Sequence, residues 1–366
     1  MQTFDAKQYI PSGVPTPGFG GRLAPVVKPG EFVFSAAHLD HEHIFGMCMG
    51  LVAAGGTIKY VYDTNEKKIA QMQRMFPNVT VVDSEEKILE DKDTILVAAA
   101  AIPNERGPFG IRVMNAGKDY FTDKAPFTTL EQLAEAREVV KKTGRKYAVC
   151  YSERLGSECA ILAGYMIDAG EIGDVLSVSG FGPHLLRPQT RAPWFFEKEK
   201  YGGILCDIGS HQVEQYLYYT GEKSATVTAS RIANYAHPQW PELDDFGDCY
   251  ITGANGTTNY FRVDWFTPDG LRTWGDGRTL ILGTKGYIEM RKYINVGVEP
   301  RGGNHMFLVN GSGERYINAT GMTGTPYYGQ LILDCLNRTE NAMTQEHCFM
   351  AAQLCLEAQA QAVKVK

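Results

Sequence analysis

The sequence predicts an α/β protein in two parts: an N-terminal Rossmann-type domain with a doubly wound parallel sheet, and a C-terminal α+β domain on a mostly antiparallel open sheet. Three observations carry that expectation. Apolar runs of strand length alternate with helix-period stretches from residue 31 to 150. After Tyr151 the alternation gives way to β-rich runs bounded by turn residues. A chain of 366 residues also exceeds what a single ordinary core holds.

Residues 1–30 are rich in Pro and Gly and lack periodicity, so they read as an extended arm. Its apolar side chains (Phe4, Tyr9, Ile10, Phe19, Leu23, Val26, Val27) predict an arm bound to a surface, that of a neighbouring subunit in a homo-oligomer with arm exchange. In the domain 31–150, EFVFSAA suits a buried parallel strand, and Ile44, Met47, Cys48, Leu51 and Val52 form one helical stripe ended by Gly55-Gly56. IKYVYD, VTVVD, TILVAAA, DYFTD and KYAVCYS follow as strands. The helices between them include TLEQLAEAREVVKKTG, with Thr129 as its cap. In the domain 151–366, a helix (158–169) and the strand DVLSVSGF precede a loop rich in Pro, Arg, His and Trp. GILCDIGSHQVEQYLYYTG reads as one helix, ANGTT as a hairpin turn, and 326–338 and 344–363 as closing helices that can pack back on the first domain.

The formal net charge of −6, with no basic run, argues against nucleic acid as a partner. No apolar stretch is long enough to span a bilayer, and the first thirty residues carry neither a signal core nor a twin arginine. The expectation is a cytoplasmic protein without a membrane partner. The eight cysteines form no CxxC and read as reduced thiols.

Three segments could carry chemistry. The first is the βαβ unit from 31 to 63. Asp63 ends its second strand, where a dinucleotide-binding fold places an acid for the ribose hydroxyls, and an acid there favours NAD over NADP. The turn reads SAAHLD in place of GxGxxG; Ala37, His38 and Leu39 are the expected phosphate-side contacts, with backbone amides of 37–43 as donors. The second is FTDKAP, at the carboxyl end of a parallel strand, where ligands sit. Lys124 there could polarise a substrate hydroxyl or take its proton. The third is YGGILCDIGSHQVEQ, in which Asp207 and His211 are four apart and share one helix face.

Together these segments resemble the Gfo/Idh/MocA oxidoreductase family. AGKDYFTDKAP is similar to the family's aGKhVl.EKP segment, with Asp123-Lys124-Ala125-Pro126 in place of Glu-Lys-Pro. GGILCDIGSHQ is similar to its G-G-x-L-x-D-x-G-x-H signature, ILGTKGYIEM to a strand of its substrate domain, and AIPNE (Pro103, Asn104) to its nicotinamide-side loop. The resemblance implies an NAD-dependent enzyme that oxidises a ring hydroxyl of a sugar or glycoside, carbon 3 being the expected position, with Lys124, Asp207 and His211 as the catalytic set. It also implies Arg154, His184, Arg191 and Trp194, with Arg187, as substrate-side groups. An inositol or free-sugar dehydrogenase is one alternative. A redox hydrolase of the same fold is another, with Tyr151, His184 or His237 as its extra base.

HLDHEH, residues 38–43, remains. On a helix His41 and His43 would point about 200° apart, so no metal site is expected from them. Asp40 is expected to cap the following helix, and the segment to serve as a variant nucleotide loop.

Overall fold

The computed structural model of this protein describes residues 4–298 and 302–366. Along the first domain β1 (Val33–Ala37), α1 (His43–Ala53), β2 (Thr57–Tyr62), α2 (Glu66–Met75), β3 (Thr80–Val81), α3 (Glu85–Leu89), β4 (Leu96–Ala99), α4 (Pro103–Asn115), β5 (Asp119–Asp123), α5 (Leu130–Thr143) and β6 (Tyr147–Cys150) follow one another. The sheet order is β3-β2-β1-β4-β5-β6, every pair parallel. Every residue of β4, β5 and β6 is buried; β4 and β6 accordingly read as near-continuous apolar runs, whereas β5 carries buried Asp119, Thr122 and Asp123. Chain order reverses between β1 and β4, and that switch point opens a crevice beyond the strands' carboxyl ends.

The second domain runs α6 (Ser152–Leu155), α7 (Glu158–Asp168), β7 (Val175–Pro183), α8 (Lys198–Tyr201), α9 (Ile204–Asp207), α10 (Gly209–Thr220), β8 (Ala225–Ala233), β9 (Phe246–Gly253), β10 (Thr258–Asp264), β11 (Arg278–Gly283), β12 (Gly286–Arg291), β13 (His305–Asn310), β14 (Gly313–Asn318), α11 (Tyr327–Asn337), α12 (Gln345–Ala360) and β15 (Val363–Lys364). Its nine strands lie in the order β14-β13-β12-β11-β7-β10-β9-β8-β15, antiparallel except for the β7–β10 and β8–β15 pairs. The expected hairpin at ANGTT joins β9 to β10. One face of this sheet carries α10. Close approach is possible because Gly180 in β7 has no side chain: a Cβ there would meet Gln212 Oε1 at 2.1 Å. The other face is open and presents Leu176, Tyr250, Leu280, Leu282, Tyr287 and Tyr316.

Local signals set most boundaries. Thr129 caps α5 as expected, accepting from the Gln132 amide at 3.2 Å, and Gly144 ends that helix in the left-handed region. Three expectations need correction. The stretch 203–221 is two helices, α9 and α10, broken at Ile208. Helix α12 stops at Ala360, and β15 follows it. Asp40 does not cap α1, which starts at His43 without a side-chain cap; the Asp40 carboxylate lies instead 3.7 Å from Lys68 Nζ.

The arm, of which residues 1–3 lie outside the described residues, runs along the chain's own surface. Tyr9 donates to Glu171 Oε1 at 2.7 Å, and the Val26 amide to the Ala54 carbonyl at 2.9 Å. The C-terminal helices cross back to the first domain through Arg338–Asp119, Arg137–Glu346 and the Tyr147–Gln345 backbone contacts. All eight cysteines are buried free thiols, and no described helix is long and apolar enough to cross a membrane.

Two glycines test this packing with opposite signs. A Cβ on Gly110 would meet Tyr120 at 2.5 Å and Tyr147 at 2.6 Å, so Gly110→Ala should cost about 1–3 kcal/mol. Gly46, exposed in the middle of α1 with nothing within 4 Å of its Cβ position, should gain up to about 1 kcal/mol as alanine. Urea denaturation of both variants reads the two signs directly.

Candidate active site

The turn from β1 to α1 is held by its own backbone. The His38 amide donates to the Tyr62 carbonyl, the Leu39 amide to Asp63 Oδ2, and the His41 amide to the Ala100 carbonyl. His38 takes φ +53°, the left-handed conformation usually given to glycine at such a turn, and its ring turns aside to bond Glu85 at 2.8 Å. Of the amides expected to cradle a phosphate, most are thus already spent. Those of Asp40 and Glu42 make no internal bond among the described residues. Asp63 also accepts from the Asn65 amide at 2.6 Å, which leaves a carboxylate lone pair for a ribose. Pro103 opens α4, and the buried Asn104 Oδ1 beside it has no partner. An orphaned buried oxygen and unspent amides at the switch point fit a bound dinucleotide.

The histidines of the turn converge. α1 begins only at His43, so His41 stands outside the helix and the 200° separation expected of two helical positions does not arise. Their rings lie 4.1 Å apart, with His41 Nδ1 at 3.2 Å and His43 Nδ1 at 2.9 Å from the two oxygens of Asp123. These three side chains could hold a metal ion, their ligand atoms all lying within 4.8 Å of one another. The same carboxylate already faces Arg106 Nη2 at 3.3 Å and accepts from the Lys124 amide at 2.8 Å. Burial opposes the charge on Asp123, but His43 and Arg106 outweigh it and hold the carboxyl well below its usual range. Arg106 is itself buried. Its remaining donors bind the carbonyls of Ala101, Lys124 and Ala125, so it fixes the strand end that carries Lys124.

Lys124 reaches across the crevice and pairs with Asp207 at 2.5 Å. Asp207 is the last residue of α9, and His211 lies one turn on in α10. Burial works against ionised Asp207, yet Lys124 outweighs it and keeps the carboxyl below its usual range. His211 is 2% exposed and its Nδ1 has no partner. Burial, with Lys124 and His184 adding to it against Glu153, pushes the imidazole down to about 3.

Of the expected substrate-side groups, His184 is at this centre. It sits just past β7 between Trp265 and Trp274, within electrostatic range of Lys124 and Asp207, and burial lowers it to about 4. Arg191 feels Asp207 and Glu42 while its guanidinium stacks 4.5 Å from Phe195 and 5.2 Å from Trp265. Trp194 packs against Phe195, and Arg187 is exposed. Arg154 is elsewhere: it is paired with Glu214, stacked on Tyr218, and lines a cavity shared with Pro11–Val14 of the arm. The α6 turn instead presents the preceding residue, Glu153, to the site. That carboxylate binds Lys292 Nζ at 2.8 Å and lies 3.9 Å from His184 Nε2. Tyr151 donates to the Cys348 carbonyl within the core, and His237 is bound to Asp245. Arg106, Glu153, Lys292, Trp265 and Trp274 were not anticipated. Of these, Glu153 alone leaves a trace in the sequence, as the acid next to Arg154.

A model of the GFO/IDH/MocA C-terminal domain matches residues 162–289. Among curated relatives, scyllo-inositol 2-dehydrogenase (NAD(+)) of Bacillus subtilis (strain 168) is 29% identical over 208 residues, 55% of this chain and 56% of that protein. D-xylose dehydrogenase of Paenarthrobacter nicotinovorans is 25% identical over 152 residues, 40% and 39% of the two chains. The chain thus spans about half the length of the curated relatives it matches. Among solved structures, a candidate oxidoreductase from Erwinia carotovora atroseptica SCRI1043 is 45% identical, with TM-score 0.89 over 92% of this chain and all of the other. Levoglucosan dehydrogenase, solved with NADH and levoglucosan, shares the fold at 17% identity and TM-score 0.75, over 90% and 97% of the chains.

The buried imidazoles predict a pH dependence. His184 and His211 stay neutral in the folded protein, at about 4 and about 3, whereas free histidines gain a proton near pH 6.5. The unfolded state therefore binds more protons below that pH, and stability drains away as the pH falls from about 6.5 towards 4. Glu153 and Glu214, held at about 2, add their loss only below about pH 4.5. Between pH 7 and pH 5 stability should fall by roughly 1–2 kcal/mol per buried imidazole, and less in His211→Gln. Equal stability of the native protein at both pH values would contradict the assignment.

Proposed function

The chain belongs to the GFO/IDH/MocA family, and from that premise we propose that it is an NAD-dependent dehydrogenase oxidising a ring hydroxyl, at carbon 3, of a sugar or glycoside. The observation that carries the reading is the Lys124–Asp207 pair with His211 one turn away, beside a strand-to-helix turn suited to a dinucleotide. Ala37, His38, Leu39, Asp63, Pro103 and Asn104 would hold the cofactor, with Lys124 next to its nicotinamide. When bound, NAD supplies the hydride acceptor. Asp63 supports NAD over NADP, since its carboxylate would repel a phosphate on the ribose 2′-oxygen.

The residues then divide the work. The Lys124 ammonium draws the substrate hydroxyl towards the crevice and stabilises negative charge on its oxygen as hydride departs. Asp207 keeps that ammonium aimed and limits its motion. His211, whose buried Nδ1 has no partner, stands one turn from Asp207 as the group placed to take the hydroxyl proton. His184, Arg191 and the partly exposed Trp274 wall the ring; aromatic faces of this kind suit the apolar face of a sugar.

The relatives named for scyllo-inositol and D-xylose support the neighbouring reading of a free polyol as substrate. Redox hydrolysis is the second alternative, and it needs one more base. Of Tyr151, His184 and His237, only His184 lies beside Lys124 and Asp207, which favours it for that role. The open face of the second sheet, with its exposed Leu and Tyr side chains, supports a homo-oligomer, to be read as mass by light scattering.

The decisive assay incubates the protein with NAD and free sugars, cyclitols and O- and C-glycosides, with products followed by mass spectrometry. An intact substrate that has lost two hydrogens supports the dehydrogenase; a released sugar without net NAD reduction supports the hydrolase. Lys124→Ala should lower kcat/KM by about 10²–10⁴ while NADH still binds. Unchanged turnover in that variant would remove the mechanism.

A further inference from the structure

Arg154 and the arm, which the crevice does not use, meet at a cavity of about 470 Å³. Pro11–Val14 of the arm line it together with residues of α6, α7, α10 and α11. A space of this size is that of a small-molecule site. Its lining is chiefly apolar and aromatic, with Leu155, Ile161 and Leu333 beside the rings of Tyr165, Tyr218 and Tyr327. No acidic side chain lines it, and Arg154 alone among the lining residues carries a full charge. Lys124, Asp207 and His211 take no part in it.

The Arg154 guanidinium is buried and only partly used. Nε donates to Glu214 Oε1 at 2.7 Å, and Nη2 pairs with the same oxygen. One face lies over the Tyr218 ring, with Cζ 3.9 Å from its centre. Tyr218 can lie there because α7 carries Gly164 opposite it; a Cβ at that position would meet the tyrosine hydroxyl at 2.4 Å. One edge and one face are thus occupied. Nη1 makes no hydrogen bond among the described residues, so the Nη1–Nη2 end of the fork stays open where Arg154 lines the cavity. The hydroxyls of Tyr165 and Tyr218 are likewise without a hydrogen-bond partner among the described residues.

The open end of a guanidinium presents two parallel N–H groups, and a carboxylate supplies the two coplanar acceptors that match them. Tyrosine rings beside aliphatic side chains suit a flat, apolar body, and no lining carboxylate repels an acid. We infer that this cavity is a second small-molecule site, apart from the crevice, which takes a planar aromatic carboxylic acid. Its carboxylate meets the Nη1–Nη2 end of Arg154, and its ring rests between the tyrosines and the aliphatic wall. The assignment is independent of what the crevice binds.

The test titrates the full chain by calorimetry with benzoate, 4-hydroxycinnamate and 2-naphthoate, each beside its carboxamide, with and without saturating NADH. At least one acid should bind saturably, one per chain, and equally well in the presence of NADH. Its amide, which offers one acceptor and no charge, should bind about tenfold or more weakly. In Arg154→Lys, which keeps the charge but loses the fork, that discrimination should shrink to about threefold or less. Leu333→Trp, which fills the cavity from the partly exposed side of α11, should abolish binding of the acid while NADH still binds. This second variant leaves the buried Arg154–Glu214 pair intact and serves if the first does not fold. No saturable binding by any of the three acids, an amide that binds as well as its acid, displacement by NADH, or full binding in Leu333→Trp each overturns the site.

Discussion

The contact on which this molecule's architecture turns is the ion pair between Lys124 and Asp207. One charge stands just past β5 in the first domain, the other at the end of α9 in the second. Taking either out of water alone would be expensive, so the arrangement holds only if both ends are fixed where they meet. Arg106 fixes the first end, binding the carbonyls on either side of the Lys124–Ala125 bond and the Asp123 carboxylate. Gln359 of α12 fixes the second, since its Oε1 accepts from the Leu205 amide at 3.0 Å. α12 is anchored in turn to the first domain at its other end, where Glu346 meets Arg137 and Gln345 bonds Tyr147. One helix thus ties both sides of the crevice together.

Behind that pair lies a second layer of buried charge. Glu153 and Arg154 are adjacent in sequence and point to different partners. Glu153 joins Lys292 and the site; Arg154 joins Glu214, which also meets His347 Nε2 at 3.2 Å. Each charge in this layer is paired, as burial requires, and the exceptions are single oxygens: Glu153 Oε1 and Glu214 Oε2. The layer keeps the α6 turn in register with α10, so His211 and His184 are held apart from solvent and neutral.

The turn from β1 to α1 reaches its shape by an unusual route. A glycine fingerprint permits a left-handed residue and close backbone approach. Here His38 adopts the left-handed conformation itself, stabilised by its bond to Glu85 and by the edge of Phe109 at 4.4 Å. His41 and His43 fill the space behind it and close on Asp123. HLDHEH thus holds with side-chain contacts a left-handed turn that a glycine would adopt without them, and it places two imidazoles on the carboxylate next to Lys124.

What the sequence by itself determined was everything with a short period or a short spacing. Strand–helix alternation over 31–150, the cap at Thr129 and the hairpin at ANGTT are local properties, because backbone geometry repeats over a few residues. The same holds for Lys124, marked by its place at a strand's carboxyl end. Tertiary structure decided what depends on charges meeting through space. It decided that His41 stands outside α1 and shares Asp123 with His43, that Arg106 organises the strand end, and that Glu153 rather than Arg154 reaches the site. Neighbouring residues on one short turn have equal claims in a linear reading. Only the folded partners, Lys292 for one and Glu214 for the other, separate them, because a buried charge goes where its counter-charge already lies.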